Sequence, residues 1–596
     1  MSRIVRCRGG VFSALFVAGA LLVYIHGWKL LWFLTDDAYI AFRYVSNRQL
    51  GHGYVWNAPP FLPVEGYTNF LWIVLLDAVW SWLGVEPPES SNWLGFAFGL
   101  GTLGATAFMA HRLRLCDALR PFRPWIVLVV VFGLVTNFSF LMWTSSGLET
   151  SLFNFLFAAW VASVLYLEGR STAWMAIVSL CAGLLALTRP DGMLMIAASA
   201  VLFATVMLSR RRLPRLDELL GAAPLAIPVV HTLWRRAYYG EWLPNTYYAK
   251  HVEAWPEAGL RYLLSYVLEY GLWFWALLVV VAVWMSRRSR ARAWEATSLL
   301  RVDPSSLSVL CVVATTVAHV GYYILAIGGD HFEYRVLSHT VPLILLSAVW
   351  AANRLAVGGH IGRPLALVLP TVVVALSWPI PWMVWKRSQQ ADARTTSFNL
   401  VVRVADAFPP GTRWYAARFD DLQEWLIRGH AIGKRYQEHR VFHLYRIASL
   451  PRERKLSEDW HTEHRVHAAR TVGVVGWILA RADVIDLFGL NDWVTARNPK
   501  RRRSRRMAHD RVPPPGYVEC FEPNVGEPLS FNVHNLAIPD LLRYESREFE
   551  IVERPEPMTS SRIEACEQYW RASIGAGLRS EPGQSLDKSL ESGLEP

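Results

Sequence analysis

The sequence predicts a polytopic α-helical membrane protein of about eleven spans, followed by a soluble α/β domain on the outer face of the membrane. Three observations carry this prediction. Over 596 residues the composition is 53% apolar and 13% aromatic, with 28 Trp, which is too apolar for a soluble chain of this length. The apolar residues gather in runs close to the roughly 20 residues that a helix needs to cross the hydrocarbon core. From Ser388 onward the long runs stop, charge rises, and short apolar stretches alternate with polar ones.

Twelve runs approach spanning length: 11–34, 69–84, 93–110, 125–143, 151–168, 173–188, 192–208, 218–234, 270–286, 305–327, 336–352 and 364–385. The first follows "MSRIVRCRGG", a basic start like that of a signal peptide. Its apolar run is too long and lacks a small-residue cleavage site, so it reads as a retained anchor with a cytoplasmic N-terminus. The net charge of +11 sits in short basic clusters between runs, and no nucleic-acid module is visible, so a cytoplasmic-loop bias accounts for it.

Those clusters set the orientation. "HRLRLCDALRPFR" (111–123), "SRRRLPR" (209–215), "SRRSRARA" (286–293) and the Arg354 to Arg363 connection are all cytoplasmic if the runs from 125–143 onward are nine successive crossings. An N-terminus inside and a C-terminal domain outside then require an odd number of crossings. Either 69–84 or 93–110 does not cross, and the shorter 69–84, which carries Asp77, is the expected juxtamembrane or re-entrant element. The chain divides into a membrane domain over 1–387, an outer domain over 388–575 and a Ser/Gly/Glu-rich, disordered tail over 576–596.

In the outer domain "TRWYAARF", "TVGVVGWIL" and "ADVIDLFGL" alternate in the manner of strands, which predicts mixed α/β structure. "NPKRRRSRR" (498–506) reads as an exposed basic loop able to meet anionic glycan or lipid. Cys520 and Cys566 are the pair that an oxidising compartment could bridge, the alternative being buried free thiols; Cys7 and Cys116 fall on the cytoplasmic side.

With that topology the outer connections carry the ionisable groups. "LTDDAYIAFRYV" and "PVEGYTNFLW" supply Asp36, Asp37, Arg43, Glu65, Tyr67 and Asn69, and "SSGLET" and "TRPDG" supply Glu149, Arg189 and Asp191. "RRAYYGEWLPNTYYAKH" adds Arg235, Asn245, Tyr248, Lys250 and His251, and "GGDHFEYR" adds Asp330, His331, Glu333 and Arg335. Ionisable groups at span ends are costly unless paired or wet, so several on one side point to a polar site at the outer leaflet. Ordinary structural roles compete. Asp36 or Asp37 could cap a helix starting near Ala38, Glu149 and Asp191 follow Gly or Pro turns, Arg189 could anchor at the interface, and Tyr and Trp crowd any interfacial belt.

Taken in order, "TDDAYIAFRYV…GHGYVWN…PVEGYTNFLW…SSGLET…LTRPDG…YYGEWLPNTYYAK…GGDHFEYR" resembles the polytopic GT-C glycosyltransferases that take sugars from polyprenyl phosphate, in particular the mycobacterial terminal β-arabinofuranosyltransferase group. "DLFGLNDWVTARNP" and "RMAHDRVPPPGYVECFEPN" extend the likeness, which covers most of residues 30–525. The resemblance implies a GT-C fold in a cytoplasmic membrane, with a polyprenyl-phosphate sugar as donor and an envelope glycan or glycolipid as acceptor. It places the general base at Asp36 or Asp37, with Asp36 favoured.

Such a donor already carries a good leaving group, so the enzyme must take a proton from the acceptor hydroxyl and hold the departing phosphate. Arg189, Lys250, His331 and Arg335 are the candidates for the phosphate. Glu65, Tyr67, Asn69, Glu149, Asp191, Asn245, Tyr248 and Glu333 are the candidates for sugar and acceptor hydroxyls. Asp36, Asp37, Asp330 and Glu333 could supply oxygen ligands to a divalent cation, but no tight acidic triplet marks a site, and the metal question stays open. Two other classes compete. A transporter of lipid-linked sugars would show charged or broken helices near the midplane and internal repeats, which are not seen apart from Pro224 and Pro228 in 218–234. A non-catalytic glycan-binding scaffold would have little use for Asp36.

Overall fold

A computed structural model describes residues 2–167, 171–211, 213–250, 253–291, 304–390, 400–448, 450, 454, 464–500, 505–507, 510–526, 552–553 and 558–575. The 576–596 tail, His251, residues 501–504 of the basic segment and the Cys7 side chain lie outside what is described. Every one of the twelve apolar runs is built around helix. Among the described residues six helices are long and apolar enough to cross a membrane, and a seventh span is formed if Pro256–Glu269 and Leu272–Ser286, bent by 90° at their junction, count as one. Leu15–Leu30, Phe70–Leu83, Thr150–Tyr166 and Thr172–Thr188 are shorter apolar helices. The run at 125–143 is interrupted. Arg123–Val135 ends, and the Asn137 side chain accepts the Phe140 N–H at 3.0 Å to start a new helix, Phe138–Met142.

The two sets of connections separate to opposite ends of the bundle. At one end Asn353 accepts from the Cys116 N–H at 2.9 Å and donates to the Arg114 carbonyl at 3.1 Å, and Thr172 donates to Asp217 at 2.6 Å. At the other end the acidic and aromatic connections meet the C-terminal residues. Both ends of Phe70–Leu83 belong to this second end, because Asn69 contacts Glu149 and Glu86 pairs with Arg454 at 3.1 Å. Asp77 is buried there too, receiving Gln49 at 2.6 Å and Tyr54 at 2.8 Å and pairing with Arg48.

The C-terminal region is mixed α/β but not where alternation implied. "TRWYAARF" lies in the helix Pro410–Gln423 and "TVGVVGWIL" in the helix Gly473–Ile478; strand is found in "ADVIDLFGL", where Asp483–Asp486 pairs in parallel with Val466–Ala469. The helix wins at 473–478 because every one of its residues is buried, so two-sided alternation has no meaning there. Two glycines let it approach closely: a Cβ on Gly473 would stand 1.8 Å from the Asp36 carbonyl oxygen, and one on Gly476 would stand 2.9 Å from Arg43 Cδ.

Val474, Val475, Trp477 and Val484 pack in one cluster with Tyr39, Phe42 and Trp56. Each such burial contributes about 1.5–3 kcal/mol, so this seam is a substantial part of what holds the C-terminal region in place. A smaller core gathers Phe61, Val466, Ile485, Val494, Tyr517, Phe521, Ile563 and Trp570 around the Cys520–Cys566 disulfide.

Candidate active site

The helix Asp36–Gln49 is capped by neither aspartate. Thr35 is its N-cap, with Oγ1 accepting the Ala38 N–H at 3.2 Å. Asp36 instead caps a different helix across the fold, accepting from the Gly473 N–H at 3.2 Å and the Val474 N–H at 2.9 Å. Burial raises its carboxyl above the usual range, opposed by Arg446 and by the Val474 N–H. Two turns on, buried Arg43 donates to the Gly476 and Ala482 carbonyls, each at 2.6 Å, so acid and base grip the two ends of Gly473–Ile478. Asp37 is exposed, and among the described residues no hydrogen bond or ion pair engages its carboxylate.

Within electrostatic reach of Asp37 is Lys250, at the end of the helix Asn245–Lys250. Its side chain is open to solvent, yet the surrounding protein depresses its ammonium below the usual lysine range; Asp37 and Asp330 oppose that shift, and Arg335 and Arg189 add to it. Arg335 leans on Asp330, donating from Nε at 3.0 Å, and its guanidinium lies 4.4 Å from the centre of the Phe332 ring.

Behind them stands a saturated ionic frame. Arg189 donates from Nη1 to Glu149 at 2.9 Å, from Nε to Asp191 at 3.2 Å and from Nη2 to the Tyr323 hydroxyl at 2.6 Å. Tyr323 donates to Asp191 Oδ2 at 2.8 Å, His319 Nε2 lies 2.9 Å from the same oxygen, and Asn69 donates to Glu149 Oε2 at 3.2 Å. Tyr323 and His319 were not singled out from the sequence because they sit inside an apolar run. Their spacing of four, which puts two polar side chains on one helix face, is the signal that could have found them.

The fold therefore brings Asp37, Lys250, Arg335, Arg189, Glu149, Asp191 and Asn69 into one neighbourhood, with Asp330 added. Other candidates are fastened elsewhere. Glu65 is buried against Arg235, which donates to it from Nη2 at 3.2 Å, and burial raises the carboxyl to about 7 against the pull of that guanidinium. The Tyr67 and Tyr239 hydroxyls share a bond of 3.0 Å. Asn245 spends its amide N–H groups on the Gly489, Leu490 and Asp492 carbonyls, and its oxygen accepts from Arg497. Glu333 is buried, paired with Arg435 at 2.8 Å and accepting the Tyr436 N–H at 3.0 Å. His331 Nδ1 lies 3.0 Å from the Ala431 carbonyl oxygen, and the Tyr248 ring lies 3.8 Å under the Arg497 guanidinium. Among the described residues no group of three or more His, Cys, Asp or Glu is arranged to hold a metal ion.

No protein-family model matches the chain. It is 26% identical over 369 residues to a terminal β-(1→2)-arabinofuranosyltransferase of Corynebacterium glutamicum, covering 56% of this chain and 50% of that protein. It is 27% identical over 339 residues to the protein of the same description in Mycobacterium tuberculosis, covering 54% and 52%. The chain thus spans about half the length of the curated relatives it matches, and the resemblance carried by its outer-loop motifs is a similarity to that group. Crystal structures of ArnT from Cupriavidus metallidurans, bound to undecaprenyl phosphate and in the apo state, align with TM-scores of 0.44 and 0.41 at 14% identity; they cover 79% and 83% of this chain and 85% and 92% of theirs.

Proposed function

We propose that this multi-pass membrane protein is a glycosyltransferase that moves a sugar, arabinofuranose foremost, from a polyprenyl-phosphate donor to an envelope glycan or glycolipid at the outer leaflet. Asp37 is the general base. The observation that carries the reading is the contrast within the aspartate pair: Asp36 is consumed by two backbone amides, whereas Asp37 offers an exposed carboxylate within electrostatic reach of Lys250. Asp37 takes the proton of the acceptor hydroxyl as that oxygen attacks the anomeric carbon from the side opposite the phosphate, which inverts the centre. The phosphate leaves into the charge of Lys250 and Arg335. Arg189, committed to Glu149, Asp191 and Tyr323, acts as the positioning residue of this frame.

The topology that serves this chemistry has eleven crossings, with Phe70–Leu83 lying on the outer side. The N-terminus is cytoplasmic, and residues 388–575 lie over the outer face, beside the acceptor.

The test is transfer by purified wild type from a panel of radiolabelled polyprenyl-phosphate sugars, pentose and hexose, to extracted envelope glycan. Product from the arabinofuranosyl donor, with an inverted linkage by NMR, is expected. Failure of every donor to bind or react would overturn the proposal.

A further inference from the structure

A second constellation lies in the C-terminal region, away from the Asp37 site. Asp483, on the strand Asp483–Asp486, places its carboxylate Oδ2 3.0 Å from His464 Nδ1. The other ring nitrogen of that histidine, Nε2, is 2.9 Å from Ser560 Oγ. His464 stands just ahead of the neighbouring parallel strand Val466–Ala469, and Ser560 opens the helix Ser560–Gly575, so three separate segments converge to make the chain of contacts. The backbone there is pinned: His464 bridges to Met558, and its carbonyl accepts from the Asn524 amide at 3.1 Å. The Cys520–Cys566 disulfide ties the serine-bearing helix to the same core.

A serine at the start of a helix is ordinarily its cap. Here Thr559 does that work, its Oγ1 accepting the Arg562 N–H at 3.4 Å and its carbonyl the Ile563 N–H at 3.1 Å. The Ser560 hydroxyl is thereby left to the imidazole. Burial is graded in the order such a relay needs: the Asp483 side chain is 6% exposed, that of His464 is 17% exposed, and Ser560 is open to solvent. The backbone N–H groups of Ser560 and Ser561, in the first turn, have no acceptor among the described residues and sit at the positive end of a 16-residue helix.

We propose that Ser560, His464 and Asp483 are the nucleophile, base and orienting acid of a second active site, one that hydrolyses carboxylic esters. In the forward step Ser560 Oγ bonds to the ester carbonyl carbon while its proton passes to His464 Nε2. Asp483 accepts the Nδ1–H and holds the ring in the required tautomer. The oxyanion is met by the open N–H groups of the first helical turn. The carbon–oxygen bond to the alcohol then breaks, and the departing alcohol takes the proton from His464. Water, deprotonated by the same imidazole, attacks the acyl-serine and releases the acid, restoring Ser560. Ester and water become acid and alcohol, with no other reactant. Because Ser560 faces solvent directly, the site suits a small acyl group on a bulky alcohol that stays outside.

The experiment uses the full-length protein in detergent with a fluorophosphonate probe, the adduct being mapped by mass spectrometry, together with hydrolysis of p-nitrophenyl acetate. Wild type should carry the adduct on Ser560. Ser560→Ala should lose it, and His464→Gln and Asp483→Asn should lower labelling and hydrolysis by at least about 100-fold. Ser560 is exposed, so its alanine variant melts as wild type does. Should the His464 or Asp483 variant fold poorly, Ser560→Cys replaces it: a cysteine activated by His464 alkylates with iodoacetamide faster than an exposed free cysteine. Folded wild type without an adduct on Ser560, or an adduct formed equally in a folded His464→Gln protein, would overturn the proposal, as would a Ser560→Cys thiol no faster than a free one.

Discussion

Replacing Asp36 with Ala should detach the C-terminal region from the helix Asp36–Gln49 rather than remove a reacting group. The wild-type carboxylate accepts two amides, at 3.2 and 2.9 Å, from a helix all of whose residues are buried. A buried N–H left without an acceptor costs about 1–3 kcal/mol, so the pair costs about 2–6 kcal/mol. Removing a carboxyl whose ionisation burial opposes offsets part of this, which favours the lower half, about 2–4 kcal/mol. Asp36→Asn keeps one acceptor oxygen and should lose about half as much. The assay is thermal unfolding of purified protein followed by Trp fluorescence, since Trp56 and Trp477 lie at the seam. Asp37→Ala, run in parallel, removes an exposed group with no partner among the described residues and should stay within about 0.5 kcal/mol of wild type. The reasoning is refuted if Asp36→Ala melts with wild type, or if Asp37→Ala is the less stable of the two.

Two further expectations separate roles that charge alone would confuse. Arg189→Ala strands the buried Glu149 and Asp191 carboxylates and should cost about 3–5 kcal/mol of stability, whereas Lys250→Ala should leave the melting temperature unchanged and weaken binding of a polyprenyl phosphate about tenfold or more, the loss of one charge-assisted contact; calorimetry on both variants checks this. Glu438 gives a pH signature: burial pushes its carboxyl up to about 7, against the pull of Lys434. A folded value above the ordinary 4.5 means that its contribution is full below 4.5 and falls as pH rises to about 7. The always-neutral Glu438→Gln should flatten the decline of melting temperature across that interval, and an unchanged slope would contradict the assignment.

Local pattern carried much of the architecture. Runs of spanning length became helices because in lipid a helix alone satisfies its own backbone, and the 111–123 connection meets Asn353 at the edge of the 354–363 connection. Where local pattern failed, a distant partner decided. Period-2 alternation in "TVGVVGWIL" gave way to a helix buried on all sides by a segment more than 400 residues away, the separation between Asp36 and Val474 being 438. The aspartate pair was legible as a candidate, but which member is free was not, since that depends on two amides of Gly473 and Val474 that no local reading places. Glu65, Asn245 and Glu333 looked equally available in sequence; each is spent on an interior partner, because a buried polar group must be paired and the nearest partners lay in other connections. His319 and Tyr323 were hidden for the opposite reason, their polarity diluted by the apolar run around them.

The most direct measurement of the central claim is single-turnover transfer from a polyprenyl-phosphate arabinofuranose donor by Asp37→Asn beside Asp36→Asn, with donor binding measured on the same preparations. The account predicts that Asp37→Asn binds donor and melts as wild type does while its transfer falls by about 10²–10⁴, and that Asp36→Asn keeps transfer in proportion to the protein that stays folded. Full transfer by Asp37→Asn, or its loss in a stable, donor-binding Asp36→Asn, would contradict it.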